Sequence, residues 1–245
     1  MATQKRRPFE LRKFIVQQEN VSLPVTTDAC IFGSLTEFES PDTILDVGCG
    51  SGILMFLMHQ KYPKAHILGI EIHAESVACV KENITLNRCN EYIEVQTADW
   101  WQFTPEKKID AIICNPPFFS HQLPSKENVK RNARHTGSYE LWQLLEHMGH
   151  WLTPQGRITM LIPATPTEHI ETIWLPKINN QLHLVSHRSI LSFEDSQPHV
   201  CIIQFEKKPK PFKQQKPLVI YAQKGHFTAE TKSILTPYLQ ERALK

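Results

Sequence analysis

The chain has 245 residues, 41% of them hydrophobic and 21% charged, and its formal net charge is +2. That length suits one large domain, or one domain with small additions, and buries a sizeable core. A balance so near neutrality excludes a global field for polyanions, so any such affinity has to come from local patches.

Residues 1–40 read as an N-terminal extension: "FELRKFIVQQENVSLPV" alternates as short strands do, and Thr26-Thr27-Asp28 cap a short helix over "TTDACIFGSLTEF". From residue 41 the pattern becomes regular. "TILDVG" is a buried strand, and "GILMFLMHQKYP" is a helix stopped at Pro63. "AHILGIEI" is a strand, "HAESVACVKENITLN" an amphipathic helix, and "IEVQTAD" and "IDAIICNPP" two more strands. "SYELWQLLEHMGHWL" carries apolar residues at helical spacing, and "GRITMLIP" is again a strand. Strands alternating with helices predict an α/β fold, a mostly parallel sheet with helices on both faces. "QLHLVSHRSILSF" and "HVCIIQFEKK" extend that sheet as an antiparallel edge, so residues 41–245 form one domain. "KKPKPFKQQKP", 207–217, reads as a solvated loop, "PLVIYA" as a strand, and "TAETKSILTPYLQERAL" as helix broken near Pro237.

The six cysteines contain no C-x-x-C pair, which argues against a zinc ribbon or redox dithiol and for a reducing compartment; no metal is expected. No apolar run approaches the roughly 20 residues of a membrane span. "MATQKRRPFE" has no apolar stretch behind its charges, so no signal peptide is read, and the expected location is the cytoplasm, away from membranes.

The chemistry starts at "LDVGCGSG", between a strand and a helix. Gly48, Gly50 and Gly52 let the backbone turn sharply and let a ligand approach, at the carboxyl end of a strand where open α/β sheets bind ligands. Glu71 ends the next strand and suits the two hydroxyls of a ribose, with Ile72 beside it. Asp46 suits a cationic group near the loop. Asp99 ends the third strand, where it suits an exocyclic adenine amine, and Trp100 suits an adenine face. The glycine spacing is G-x-G-x-G rather than the dinucleotide G-x-G-x-x-G, and no Walker lysine follows. The loop resembles the S-adenosylmethionine loop of class I methyltransferases, over about residues 43–165, with Glu71 matching their ribose-binding acid. That resemblance implies a Rossmann-like sheet and S-adenosylmethionine as cofactor.

"IICNPPFFS" ends the fourth strand. A conjugated NH2 group is a poor nucleophile, and a site that helps it offers two acceptors for its two N–H bonds. The Asn115 side-chain oxygen and the Pro116 carbonyl suit those roles, and they stabilise the charge that grows during methyl transfer. Pro116 and Pro117 stiffen the turn, and Phe118 stacks on a planar substrate. "NPPF" resembles motif IV of methyltransferases acting on exocyclic amines of bases or on the glutamine amide of release factors, which also sets Asn115 beside the cofactor.

Three basic clusters suit phosphates: Lys5, Arg6 and Arg7 with Arg12 and Lys13; Lys126, Lys130, Arg131 and Arg134; and the lysines of 207–217. The leader "FELRKFIV…LPVTTDACIFGSL", then "NPPFF", then "ARHT", together resemble the bacterial tRNA adenine-N6-methyltransferases that modify position 37 of valine tRNA. The resemblance runs along nearly the whole chain; the family often has Tyr where Phe118 stands. It implies tRNA as the partner and an N-terminal segment closing over the cofactor with Thr27 and Asp28 near it; separately, a monomer is expected. The alternatives are guanine-N2 methylation of ribosomal RNA, glutamine methylation of release factors, and a catalytically silent RNA-binding module. An intact NPPF stretch argues against the last, and the basic clusters against a peptide substrate.

Overall fold

The computed structural model describes residues 6–116, 140–179 and 181–244. A hairpin of β1 (Phe9–Glu10) and β2 (Ile15–Val16) opens it, followed by α1 (Thr27–Leu35), whose N-cap Thr26 accepts from the Ala29 N–H. Then come β3 (Thr43–Val47), α2 (Ile53–Lys61), β4 (His66–Glu71), α3 (Ala74–Leu86), β5 (Ile93–Thr97) and β6 (Ile109–Cys114). After them lie α4 (Leu141–Trp151), β7 (Leu152–Pro163), β8 (His183–Leu191), β9 (Val200–Glu206), β10 (Lys213–Gln214) and β11 (Leu218–Val219). A small hairpin, β12 (Tyr221–Gln223) with β13 (His226–Phe227), leads to the last α-helix, Ala229–Leu235.

One sheet of nine strands organises the chain in the order β10-β8-β9-β7-β6-β3-β4-β5, with β11 continuing beside β8. The five strands from β7 to β5 are parallel. The two late strands do extend the same sheet: β9 runs antiparallel to both β7 and β8, lying between them. Period-2 alternation sorts the side chains onto two faces. Ile44, Ile67, Ala111 and Ile113 meet α1, α2 and α3, while Leu45, Val47, Ile112, Cys114, Ile158 and Met160 meet α4. Both faces are apolar, as a helix-covered parallel sheet requires, and each fully buried Leu or Ile contributes about 1.5–3 kcal/mol. α1 packs closely on α2 because Gly33 has no side chain: a Cβ there would lie 2.5 Å from Leu57 Cδ1.

Two features depart from the sequence reading. Residues 167–177 are helical, an α turn running into a π turn (Ile170–Trp174) and a 3-10 turn (Leu175–Lys177). Its local signals are Thr165-Pro166-Thr167-Glu168, a Thr-x-x-Glu start with proline second, and the apolar pair Ile170 and Trp174 four residues apart. Within the exposed segment 207–217, Lys213–Gln214 pair with β8 as a short parallel strand rather than forming only loop. Between β5 and β6 there is no helix, and Trp100 and Phe103 pack on that face of the sheet instead. Among the described residues no helix is long and apolar enough to cross a membrane.

Candidate active site

Gly48, Gly50 and Gly52 follow β3 with φ values of +73°, +52° and +77°. These are left-handed conformations that side chains resist. At Gly52 space adds a second reason, since a Cβ would meet both Val80 methyls at 3.2 Å. The Ile70 carbonyl accepts from the Gly48 and Cys49 N–H groups at 2.9 and 3.1 Å, tying the loop to the end of β4. No side chain caps α2, so its N-terminus opens directly from the glycine loop, in the manner of an anion- or polar-ligand site.

Glu71 joins the loop to the next helix. Its Oε2 accepts from Gly50 N–H at 3.0 Å and its Oε1 from His73 N–H at 2.9 Å. Each oxygen keeps a further lone pair. The sequence reading had given Glu71 a ligand role only; its hold on two backbone segments depends on loop geometry that spacing does not reveal. Ile72, next to it, is 41% exposed, a large apolar side chain left facing out at the carboxyl edge.

Asp46 is fully buried, and neither carboxylate oxygen has a hydrogen-bond partner. Burial, and then the Glu71 charge, push its carboxyl up to about 8. The same burial, with Asp46 and Glu71 nearby, holds the Cys49 thiol well above its ordinary value. A buried acid without partners is costly, and it fits a cationic ligand group that would complete it. Loop, acid and exposed apolar side chain together fit a cofactor that joins an ammonium group to a ribose and a flat base.

Asn115 and Pro116 follow directly on β6. Cys114 pairs with Val47 in the register of the sheet, so Asn115 leaves β6 beside the point where Gly48 leaves β3. Asn115 is half-buried and Pro116 buried. Pro117 and Phe118 lie outside the described residues, as do Lys5, Lys126, Lys130, Arg131 and Arg134. Asp99 follows β5 at the same edge, where its Oδ1 accepts from Trp101 N–H at 3.0 Å. One face of Trp100 is stacked on Trp101, with ring centroids 4.1 Å apart, and His147 meets both rings edge-on. Arg7 is exposed, while Arg6 lies partly buried and donates to Val21 O at 3.5 Å. Among the described residues, no three His, Cys, Asp or Glu side chains converge as metal ligands would.

The N-terminal segment runs across this edge. Leu23 lies over the loop: a Cβ on Gly50 would stand 3.5 Å from Leu23 Cβ and 3.6 Å from its carbonyl oxygen. α3 holds the segment with two asparagines. Asn83 accepts from Gln17 N–H at 2.8 Å and donates to Gln17 O at 3.0 Å; Asn87 does the same for Ile15 at 2.9 and 2.8 Å. Thr27 opens α1, and Asp28 meets His199 Nε2 at 3.1 Å. His199 precedes Val200, which pairs with Pro163 and Ile190 at the carboxyl edge, so Asp28 is drawn to the same rim. Neither His199 nor the asparagines were found from sequence, because each meets its partner across 66 or more residues.

Residues 32–165 match the family described as Methyltransferase small domain. A Vibrio cholerae protein named tRNA1(Val) (adenine(37)-N6)-methyltransferase is 34% identical over 162 residues, 66% of this chain and 68% of that protein. An Aliivibrio fischeri protein of the same name is 28% identical over 95% of this chain and 98% of its own length. Among solved structures, a predicted O-methyltransferase from Agrobacterium tumefaciens superimposes with a TM-score of 0.61 at 16% identity, over 89% of this chain and 98% of that one. Coclaurine N-methyltransferase gives 0.53 at 12% identity, over 73% of this chain and 69% of that one. Sheet order, glycine loop and sequence agree: the chain belongs to the methyltransferase small domain family and is a class I methyltransferase.

Proposed function

We propose that this protein methylates the N6 amine of adenine 37 in a valine tRNA, using S-adenosylmethionine. The observation that carries the reading is an Asn-Pro pair leaving β6 beside the glycine loop, so that acceptors for an NH2 group adjoin a cofactor cleft. The relatives named for this activity, one of them matched along nearly its whole length, support the choice of adenine and of tRNA. On this reading residues 1–40 are a cap over the cofactor, residues 41–245 are the methyltransferase domain, and the protein works in the cytoplasm as a monomer.

The cofactor, when bound, supplies an electrophilic methyl group on a sulfonium. Gly48, Gly50 and Gly52 line its cradle, Glu71 receives its ribose, Asp46 its ammonium, and Ile72, Asp99 and Trp100 its base. Thr27 and Asp28 approach from the cap. The adenine is flipped out of its stack to reach this depth. Asn115 Oδ1 and the Pro116 carbonyl each accept one N6–H bond. The methyl carbon would bond to N6 as its bond to sulfur breaks, leaving a neutral thioether; the charge then falls on the nitrogen, and the two oxygens stabilise it before one proton leaves to water. Pro116 and Pro117 hold the acceptors still, and Phe118 stacks on the base, so the amine would be held in one orientation toward the methyl group. Arg6 and Arg7 with Lys5, and Lys126, Lys130, Arg131 and Arg134, meet the phosphates around the flipped base.

The test is incubation with labelled cofactor and either unmodified tRNA or a release factor, then nucleoside analysis of the RNA and label counting on the protein. N6-methyladenosine is expected. Labelled N2-methylguanosine, or label found only on a release-factor glutamine, overturns the assignment.

A further inference from the structure

The segment 207–217 takes no part in the site above. It leaves β9 and climbs the outer side of β8, pairing Lys213 with Ser186 and Gln214 with His187, then Leu218 with Ile190. It is held in place there: Gln215 N–H donates to His187 O at 2.8 Å, and Gln214 Nε2 to the same oxygen at 3.2 Å. Its five lysines divide into two sets. Lys207 donates to Leu152 O at 3.2 Å, and Lys210 pairs with Glu206 at 2.9 Å. Lys208, Lys213 and Lys216 are exposed and have no acidic partner among the described residues.

Lysine and proline on an edge strand keep other strands from pairing with it. That accounts for the charges and prolines but not for Phe212, 40% exposed in their midst. An exposed ring works against edge protection. Free ammonium groups around an exposed aromatic face suit a single RNA strand, phosphates on the lysines and a base on the ring. An extended chain rises about 3.3 Å per residue, so Lys208, Lys213 and Lys216 reach separate phosphates. Four strand spacings separate β10 from β6, roughly 19 Å, beyond the reach of the nucleotide at Asn115.

Resting on the reading of tRNA as substrate, we infer that this edge is a second tRNA-binding surface. It grips nucleotides outside the catalytic cleft, with Lys208, Lys213 and Lys216 on phosphates and Phe212 against an unpaired base.

The experiment measures the affinity of full-length unmodified valine tRNA across a salt series for the parent protein, a Lys208→Ala/Lys213→Ala/Lys216→Ala variant, and Phe212→Ala. Each phosphate contact contributes about 0.7–0.9 to the log–log salt slope. The triple variant is expected to lose about 2–3 of that slope and at least about tenfold in affinity at low salt. Its rate at saturating tRNA and its cofactor affinity are expected to stay unchanged, and the triple Lys→Arg variant to restore the slope. Phe212→Ala is expected to weaken binding about tenfold to a hundredfold with the slope intact. A triple alanine variant that matches the parent in slope and affinity overturns the inference. If the parent then still makes N6-methyladenosine, the proposed function stands and only this surface is lost. A parent that binds no tRNA removes both.

Discussion

Asp46 sets two requirements of the protein against each other. Its folded carboxyl sits at about 8, against an ordinary value of 3.8. Between those values the unfolded chain has lost a proton that the folded chain still holds. Cofactor-free stability therefore falls as pH rises through that window and levels off above it. Asp46→Asn is expected to flatten the change: thermal unfolding at stepped pH should show a smaller drop in midpoint from pH 5 to pH 8 than in the parent. The same variant should bind cofactor more weakly, measured by calorimetry, because a carboxylate no longer faces the ammonium. Asn115 gives the complementary case. Asn115→Ala is expected to lower kcat by about two orders of magnitude, the scale of losing one transition-state hydrogen-bond partner, with cofactor binding retained. Normal turnover in that variant would remove Asn115 from the chemistry. At this scale the glycines, Glu71 and the Asn-Pro pair were readable because each motif is local. That Asp46 lacks partners, and that Glu71 clamps Gly50 and His73, were not, since both facts arise where loops from different strands meet.

Among the elements, α3 has a second task besides covering the sheet. Asn83 and Asn87 stand one helical turn apart, and the residues they hold, Gln17 and Ile15, stand two apart on an extended chain. A turn rises about 5.4 Å and two extended residues about 6.8 Å, close enough for each amide to pair with a backbone N–H and C=O as a neighbouring strand would. Asn83→Ala leaves the Gln17 N–H unpaired in a part-buried place, its carbonyl keeping only the Cys79 thiol at 3.3 Å, and is expected to cost about 1–3 kcal/mol, with faster amide exchange at Gln17. Asn87→Ala, at an exposed contact, is expected to cost less. Denaturant titration and hydrogen exchange check both. The helix itself was legible from its apolar periodicity; its polar partners were not, because no local pattern reports a strand bound to a helix face. Trp100 shows the converse, since a strand-end position suggested an open ring and Trp101 occupies one of its faces.

In the whole molecule, the N-terminal hairpin is closed from the other end of the sequence. Leu11 forms a bridge with Leu239, Arg12 N–H donates to Tyr238 O at 2.7 Å, and Gln240 Nε2 donates to Leu11 O at 3.1 Å. Deleting residues 236–245 removes the buried Leu239 and these bonds. It is expected to lower the thermal midpoint by about 5–15 °C and to expose the chain near Arg12 and Lys13 to trypsin. An unchanged midpoint and cleavage pattern would contradict that seal. Alternation of strands and helices made the parallel sheet legible, but strand order was not: β9 inserts between β7 and β8, and periodicity carries no information about neighbours. The seal also bears on how the polypeptide is made. Residues 11 and 12 emerge from the ribosome long before 236–240, so this end of the hairpin stays unlatched throughout translation of the sheet. A product stalled short of Leu239 can assemble its glycine turn and the asparagine hold on Ile15 and Gln17, but it lacks the second fastening at Leu11 and Arg12, so premature termination yields a protein less able to retain its small molecule.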